Sequence, residues 1–194
     1  MRILITNDDG IYSPGILSLA EVAAKFGDVR IVAPDVERSS AGHSITALRP
    51  LSYKRTPIVG FEAFRVNGTP ADCVALGAHN WEKVDIVLSG INLGTNLGNS
   101  MWHSGTVAAA KQATLLGLRG VALSVPSTVE EPEFEILKPS IAEVLNVLLN
   151  DKQLTLVNVN FPAAKPKGLR WTRQSVRRYD GTVVPGEDPM GRKH

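Results

Sequence analysis

A chain of 194 residues with 43% hydrophobic content and a net charge of +2 is long enough to bury one medium core without disulfides or a structural metal. A single cysteine, Cys73, excludes an intrachain disulfide framework, and no apolar run is long enough to span a bilayer, so no membrane partner is expected. Residues 165–194 hold eight Lys or Arg against three acids, but they lack interleaved aromatics at base-stacking density and any nucleic-acid motif, so stable nucleic-acid binding is not expected either.

The first apolar run, Arg2 to Thr6, suits a buried parallel strand. It breaks at Asn7-Asp8 after a few residues, too early for a signal peptide, and the expected compartment is the cytosol. Asn7-Asp8-Asp9-Gly10 follows the strand. Two ionised carboxylates about 4 Å apart repel by roughly 4 kcal/mol at an effective dielectric near 20. They must share a proton, splay into water or bind a cation. Turn chemistry alone would also choose Asn, Asp and Gly here.

Ser13-Pro14 reads as an N-cap and first helical position, opening a helix to about Phe26 that Gly27 ends. Val29 to Ala33 is the second strand, stopped by Pro34-Asp35. Residues 45–66 break the rhythm with two extended stretches, around 49–53 and 60–66, flanking Thr56-Pro57; this is an antiparallel excursion. Thr69-Pro70 then caps a helix to about Asn80, with Cys73 on its apolar face, and Val84 to Ser89 is another buried strand. A loop rich in Gly and Asn runs from Gly90 to Ser104, and loops of that length inside a domain are functional or disordered. Helix 105–117, strand 120–125, helix 133–150 and strand 154–159 continue the alternation, and Leu169 to Val176 reads as an antiparallel edge strand. The fold class is α/β: a Rossmann-like, mostly parallel, doubly wound sheet with helices on both faces, in one domain spanning residues 1–194.

In such sheets ligands bind beyond the carboxyl ends of the strands, where the polar loops converge. The first strand delivers Asp8 and Asp9, the second Asp35, Glu37, Arg38, Ser39, Ser40, Gly42, His43 and Ser44, and the strand ending at Ser89 delivers Asn92 and Asn96. Carboxylate, hydroxyl and amide oxygens form a hard donor set that suits Mg²⁺ or Mn²⁺ better than zinc or copper. Taken singly, the two asparagines beside glycines also read as left-handed turn residues. Ser104-Gly105-Thr106 opens a helix whose free N–H groups make a phosphate cradle or a simple cap. There is no G-x-G-x-x-G after the first strand and no G-x-x-x-x-G-K-[ST], which removes dinucleotide-binding and P-loop sites. A receiver domain needs a phosphoacceptor Asp where this chain has Ser89-Gly90.

Five segments taken in order, NDDG at 7–10, APDVERSSAGHSIT at 33–46, VNGTPADCV at 66–74, SGINLGTNLG at 89–98 and HSGTVAAA at 103–110, resemble the SurE family of survival-protein nucleotidases. The resemblance implies a phosphatase acting on nucleoside monophosphates, a 5′-nucleotidase, with one divalent ion, Mg²⁺ or Mn²⁺. Asp8, Asp9, Ser39 and Asn92 fall on the family's metal-ligand positions, Asp8 and Asp9 being the catalytic pair. Asn96, Ser104, Gly105 and Thr106 are expected to hold the phosphate. A homodimer or homotetramer is implied too, as is a further C-terminal part, since family members continue beyond the point where this sequence reaches His194. His103 stands where members often carry an aromatic residue. Base preference, 3′-nucleotides and short polyphosphate stay open, and a non-catalytic nucleotide or phosphate sensor using the same pocket is the alternative.

Overall fold

A strand with consecutive apolar residues must bury both faces, and Arg2–Thr6 (β1) does so at its centre, with Ile3, Leu4 and Ile5 fully buried. The computed structural model describes residues 1–127, 133–176, 185–187, 190 and 192; part of the basic C-terminal stretch, including 177–184, lies outside them. β1 pairs in parallel with Asp28–Pro34 (β2) on one side and Ile86–Leu93 (β5) on the other. With Tyr53–Ile58 (β3), Phe61–Val66 (β4), Arg119–Val125 (β6) and Leu156–Asn160 (β7), the described residues form one seven-stranded sheet in the order β3-β4-β2-β1-β5-β6-β7.

Alternate residues of the central strands feed two cores. Ile3, Ile5, Ile31, Ile86 and Leu88 pack under Pro14–Ala23 (α1) and Phe134–Asn150 (α4). Leu4, Val32 and Val87 pack under Pro70–Asn80 (α2) and Gly105–Leu115 (α3), and Cys73 is buried in this second core. Helices therefore cover both faces, as in a doubly wound sheet. The chain leaves β1 through α1 to β2 on one flank and later returns through α2 to β5 on the other. That reversal of strand order opens a crevice beyond the carboxyl end of β1.

Four local expectations change. β5 does not stop at Ser89: it continues to Leu93 because pairing with β6 resumes at Asn92 and Ser124 after an irregularity. Gly90, at φ +143°, sits where a Cβ would lie 2.3 Å from the Leu123 carbonyl oxygen, so only glycine lets the strand pass there. Thr56-Pro57 lies inside β3 rather than between two extended stretches; β3 is the outermost strand, where a missing N–H is tolerated. Its hairpin partner β4 runs parallel to β2, so the excursion joins the main sheet. Residues 169–176 form no strand. Pro162 and Pro166 lack the N–H a ladder needs, and with Gly168 at φ +144° they lead the chain off β7, after which the Gln174 amide donates to the Gly98 carbonyl.

Candidate functional site

Asn7 shapes the first loop. Its amide donates to the Gly10 carbonyl (2.9 Å) and to the Ser13 hydroxyl (2.6 Å), so Ser13, expected as a side-chain cap for α1, instead pins the turn. Gly10 takes φ +98°, which an L side chain rarely adopts, and the chain folds back beside Glu37. This leaves Asp8 buried, 4% exposed, at the start of α3. The Thr106 hydroxyl donates to Asp8 Oδ1 at 2.6 Å, and a Cβ on Gly105 would lie 2.9 Å from Asp8 Cβ and 3.0 Å from Asp8 Oδ2. Burial raises the Asp8 carboxyl pKa, while the Thr106 hydroxyl and the backbone N–H groups of Asp8, Thr106 and Gly105 pull it down; the net direction is up.

Asp9 points the other way along the crevice. The Leu93 N–H, on the last residue of β5, donates to Asp9 Oδ2 at 3.4 Å. Burial, the neighbouring Asp8 charge and, less strongly, Glu37 push the Asp9 pKa from 3.8 to about 7, against the Leu93 bond. Burial is the first of these causes, so the crevice disfavours a lone negative charge on Asp9.

The loop after β2 closes the next side. The Arg38 N–H donates to the Asp8 carbonyl oxygen (2.7 Å) and the Gly42 N–H to the His103 carbonyl (3.0 Å), which ties residues 38–42 to both the first loop and the approach to α3. Ser39 is exposed on this loop, and its hydroxyl donates to Glu37 Oε1 at 2.5 Å. Farther along, Asp72 accepts from the Thr46 N–H and, in a complete capping box with Thr69, from the Thr69 N–H, both at 2.9 Å. The Thr69 cap was legible in sequence; the part Asp72 plays in it and its reach to Thr46 were not.

Near the end of β5, the Asn92 amide donates to the Gly94 carbonyl (2.5 Å), which turns its oxygen end away from that turn. Asn96 sits differently from the phosphate contact expected of it. It is buried, its amide donates to the Ser124 hydroxyl (2.7 Å), its N–H donates to Asn160 Oδ1 (2.8 Å), and its carbonyl accepts from Asn158 and Asn160. Its polar groups fasten the loop to β6 and β7. A groove of about 810 Å³ runs beyond β7 between α4 and residues 168–175 and touches Asn96, but Asp8, Asp9, Ser39 and Asn92 do not line it.

Ser104 caps α3, its hydroxyl accepting from the Val107 N–H at 3.1 Å, and the Gly105 and Thr106 N–H groups behind it face Asp8. The expected ion site and the expected phosphate cradle thus share a wall. Donor chemistry fits a hard divalent ion: Asp8, Asp9, Ser39 and Asn92 offer only oxygen, and Asp9 carries unneutralised charge. Among the described residues no three His, Cys, Asp or Glu side chains gather as a metal cluster, so an ion here depends on neutral oxygens as well as the two carboxylates.

The family model for survival protein SurE matches residues 3–181. This chain belongs to the SurE family. It is 46% identical over 200 residues to the 5′-nucleotidase SurE 1 of Thermus thermophilus, covering 100% of this chain and 79% of that protein. It is 44% identical over 201 residues to the 5′-nucleotidase SurE of Deinococcus radiodurans, covering 100% and 74%. The crystal structure of the SurE protein from Aquifex aeolicus superposes with a TM-score of 0.83 at 38% identity, covering all of this chain and 80% of that one. The sheet and both helical layers are thus those of the family. No helix among the described residues is long and apolar enough to cross a membrane.

Proposed function

We propose that this chain is a 5′-nucleotidase, a divalent-metal-dependent phosphomonoesterase that removes phosphate from nucleoside monophosphates. The names of its relatives support the nucleotidase activity, and the observation that carries the site assignment is the Asp8–Asp9 pair packed against the start of α3. Asp8, Asp9, Ser39 and Asn92 would hold one Mg²⁺ or Mn²⁺, which when bound supplies a Lewis acid for phosphate oxygen and lowers the pKa of water. Thr106 holds Asp8 by its hydroxyl, and Gly105, by having no side chain, keeps Asp8 and the helix start in contact. The Gly105 and Thr106 N–H groups face Asp8, so the start of α3 would favour phosphate through its positive dipole end rather than through those two donors. Ser104 holds that helix start in shape. Asn96 enters as the anchor of the 90–104 loop rather than as a phosphate contact.

Residues 1–194 act as one nucleotidase domain in a cytosolic homodimer or homotetramer. The test is release of inorganic phosphate from AMP with and without Mn²⁺, with 3′-AMP and short polyphosphate run beside it to set the substrate range. Mn²⁺-dependent release is expected. Tight AMP binding with no release under any metal would identify a sensor instead.

A further inference from the structure

We propose that Glu37 is a positioning residue for the ion site: it accepts the Ser39 hydroxyl proton in a hydrogen bond and so frees the oxygen lone pairs of Ser39 to face the crevice. This rests on the reading of Ser39 as an ion ligand. A serine hydroxyl has one proton and two lone pairs, and left to rotate it presents its proton to a cation as readily as its oxygen. Here the proton has a fixed destination, Glu37 Oε1 at 2.5 Å. A carboxylate acceptor also makes the hydroxyl oxygen a stronger donor, as carboxylates do for metal-bound histidines.

The backbone on either side of the pair is held. Arg38, between the two residues, donates its N–H to the Asp8 carbonyl at 2.7 Å. Gly10 packs beneath, where a Cβ would lie 3.4 Å from Val36 C and 3.5 Å from Glu37 N. Glu37 is near enough for its charge to act on Asp9. It is not a third carboxylate ligand, since no three acidic or imidazole side chains gather as a metal cluster among the described residues. What remains for it is to act through Ser39.

Calorimetric titration of Mn²⁺ into the substrate-free protein separates this from a local turn contact, using wild type, Ser39→Ala, Glu37→Ala, Glu37→Gln and the Glu37→Ala/Ser39→Ala double variant. Glu37→Ala is expected to weaken Mn²⁺ binding by about tenfold, the low end for removing a group that orients a ligand. Glu37→Gln should restore most of the affinity, because its carbonyl oxygen still accepts from the hydroxyl. The double variant should bind no more weakly than Ser39→Ala alone. Wild-type affinity in Glu37→Ala, equal losses in Gln and Ala, or losses that multiply in the double variant would each overturn the proposal. If the wild-type protein takes up no Mn²⁺, the ion-site reading falls first and Glu37 with it. Melting temperatures of the metal-free variants, expected within a degree or two of wild type for an exposed loop, confirm that folding is intact.

Discussion

Asp9→Asn gives the sharpest test of the carboxylate pair, because it changes charge with almost no change in shape. In the metal-free protein the Asp9 pKa stands at about 7 against 3.8 for an exposed carboxyl. Between those values the folded chain holds a proton that the unfolded chain has released, so stability falls as pH rises from about 4 to about 7 and then levels off. The full gap corresponds to roughly 4 kcal/mol. Asp9 is only partly buried, and solvent screening brings the expected effect down to about 2 kcal/mol. Asp9→Asn removes this loss, so at pH 8 without metal it should be more stable than wild type by about that much. For a chain of this length that is a rise of about 4–8 °C in melting temperature. At pH 4, where Asp9 is protonated in the folded state, the two proteins should melt together. The assay is thermal melting in chelator at both pH values, with phosphate release measured alongside and expected to be lost in the variant. A variant that melts at or below wild type at pH 8 refutes the reasoning, since Asp9 would then be stabilised by its surroundings rather than strained by them.

Gly105→Ala should cost about 1–3 kcal/mol by overpacking Asp8 and Pro70, and should weaken Mn²⁺ binding and turnover together; full activity at unchanged melting temperature would reduce Gly105 to an ordinary helix start. Burial raises the Asp72 pKa, but the donors from Thr46 and Thr69 outweigh it and the net direction is down, so its contribution is present above pH 3.8 and is lost on acidification below that. Asp72→Asn, whose amide offers one acceptor oxygen to two N–H groups, should lower stability by about 1–2 kcal/mol near neutral pH and by less at pH 3, read by urea denaturation at both. Asn96→Ala leaves the buried Ser124 hydroxyl short of its donor, while the backbone bonds to Asn158 and Asn160 remain, and should cost about 1–3 kcal/mol, with faster hydrogen exchange in residues 92–104; unchanged stability with a raised KM for AMP would return Asn96 to the phosphate.

What the sequence made legible was local. The Asp8–Asp9 step at a strand end, the Ser104 cap and the Thr69 cap each depend on residues within four positions of one another, and they stand in the structure as a strand end and two helix caps. The alternation of apolar strands and helices was enough for the doubly wound class. Pairing across the sheet was not legible: β4 lies parallel to β2 with nothing in Phe61–Val66 to say so, and β5 runs past Gly90 only because β6 is there to receive it. Asn96 shows the same limit in the site. Beside Gly94 and Gly98 it looks like a turn or ligand residue, and what fixes its role are Ser124, Asn158 and Asn160, far along the chain. The Glu37–Ser39 bond spans two residues, yet alternate side chains on an irregular loop have no periodicity that would announce it.

The hydrogen bond between Asp8 and Thr106 joins residues 98 positions apart, and that distance sets an order of events at the ribosome. Synthesis runs from the N-terminus at about 5–20 residues per second, so the acidic loop is made roughly 5–20 s before the helix start that supports it. During that interval Asp8 lacks the Thr106 hydroxyl and the close approach of Gly105 that enclose it in the folded chain. An ion that prefers the enclosed Asp8 therefore rewards the docking of α3 and not the pairing of the first strands. Mn²⁺ binding in a refolding experiment should accordingly lag the appearance of helix and coincide with the burial of residues at the start of α3.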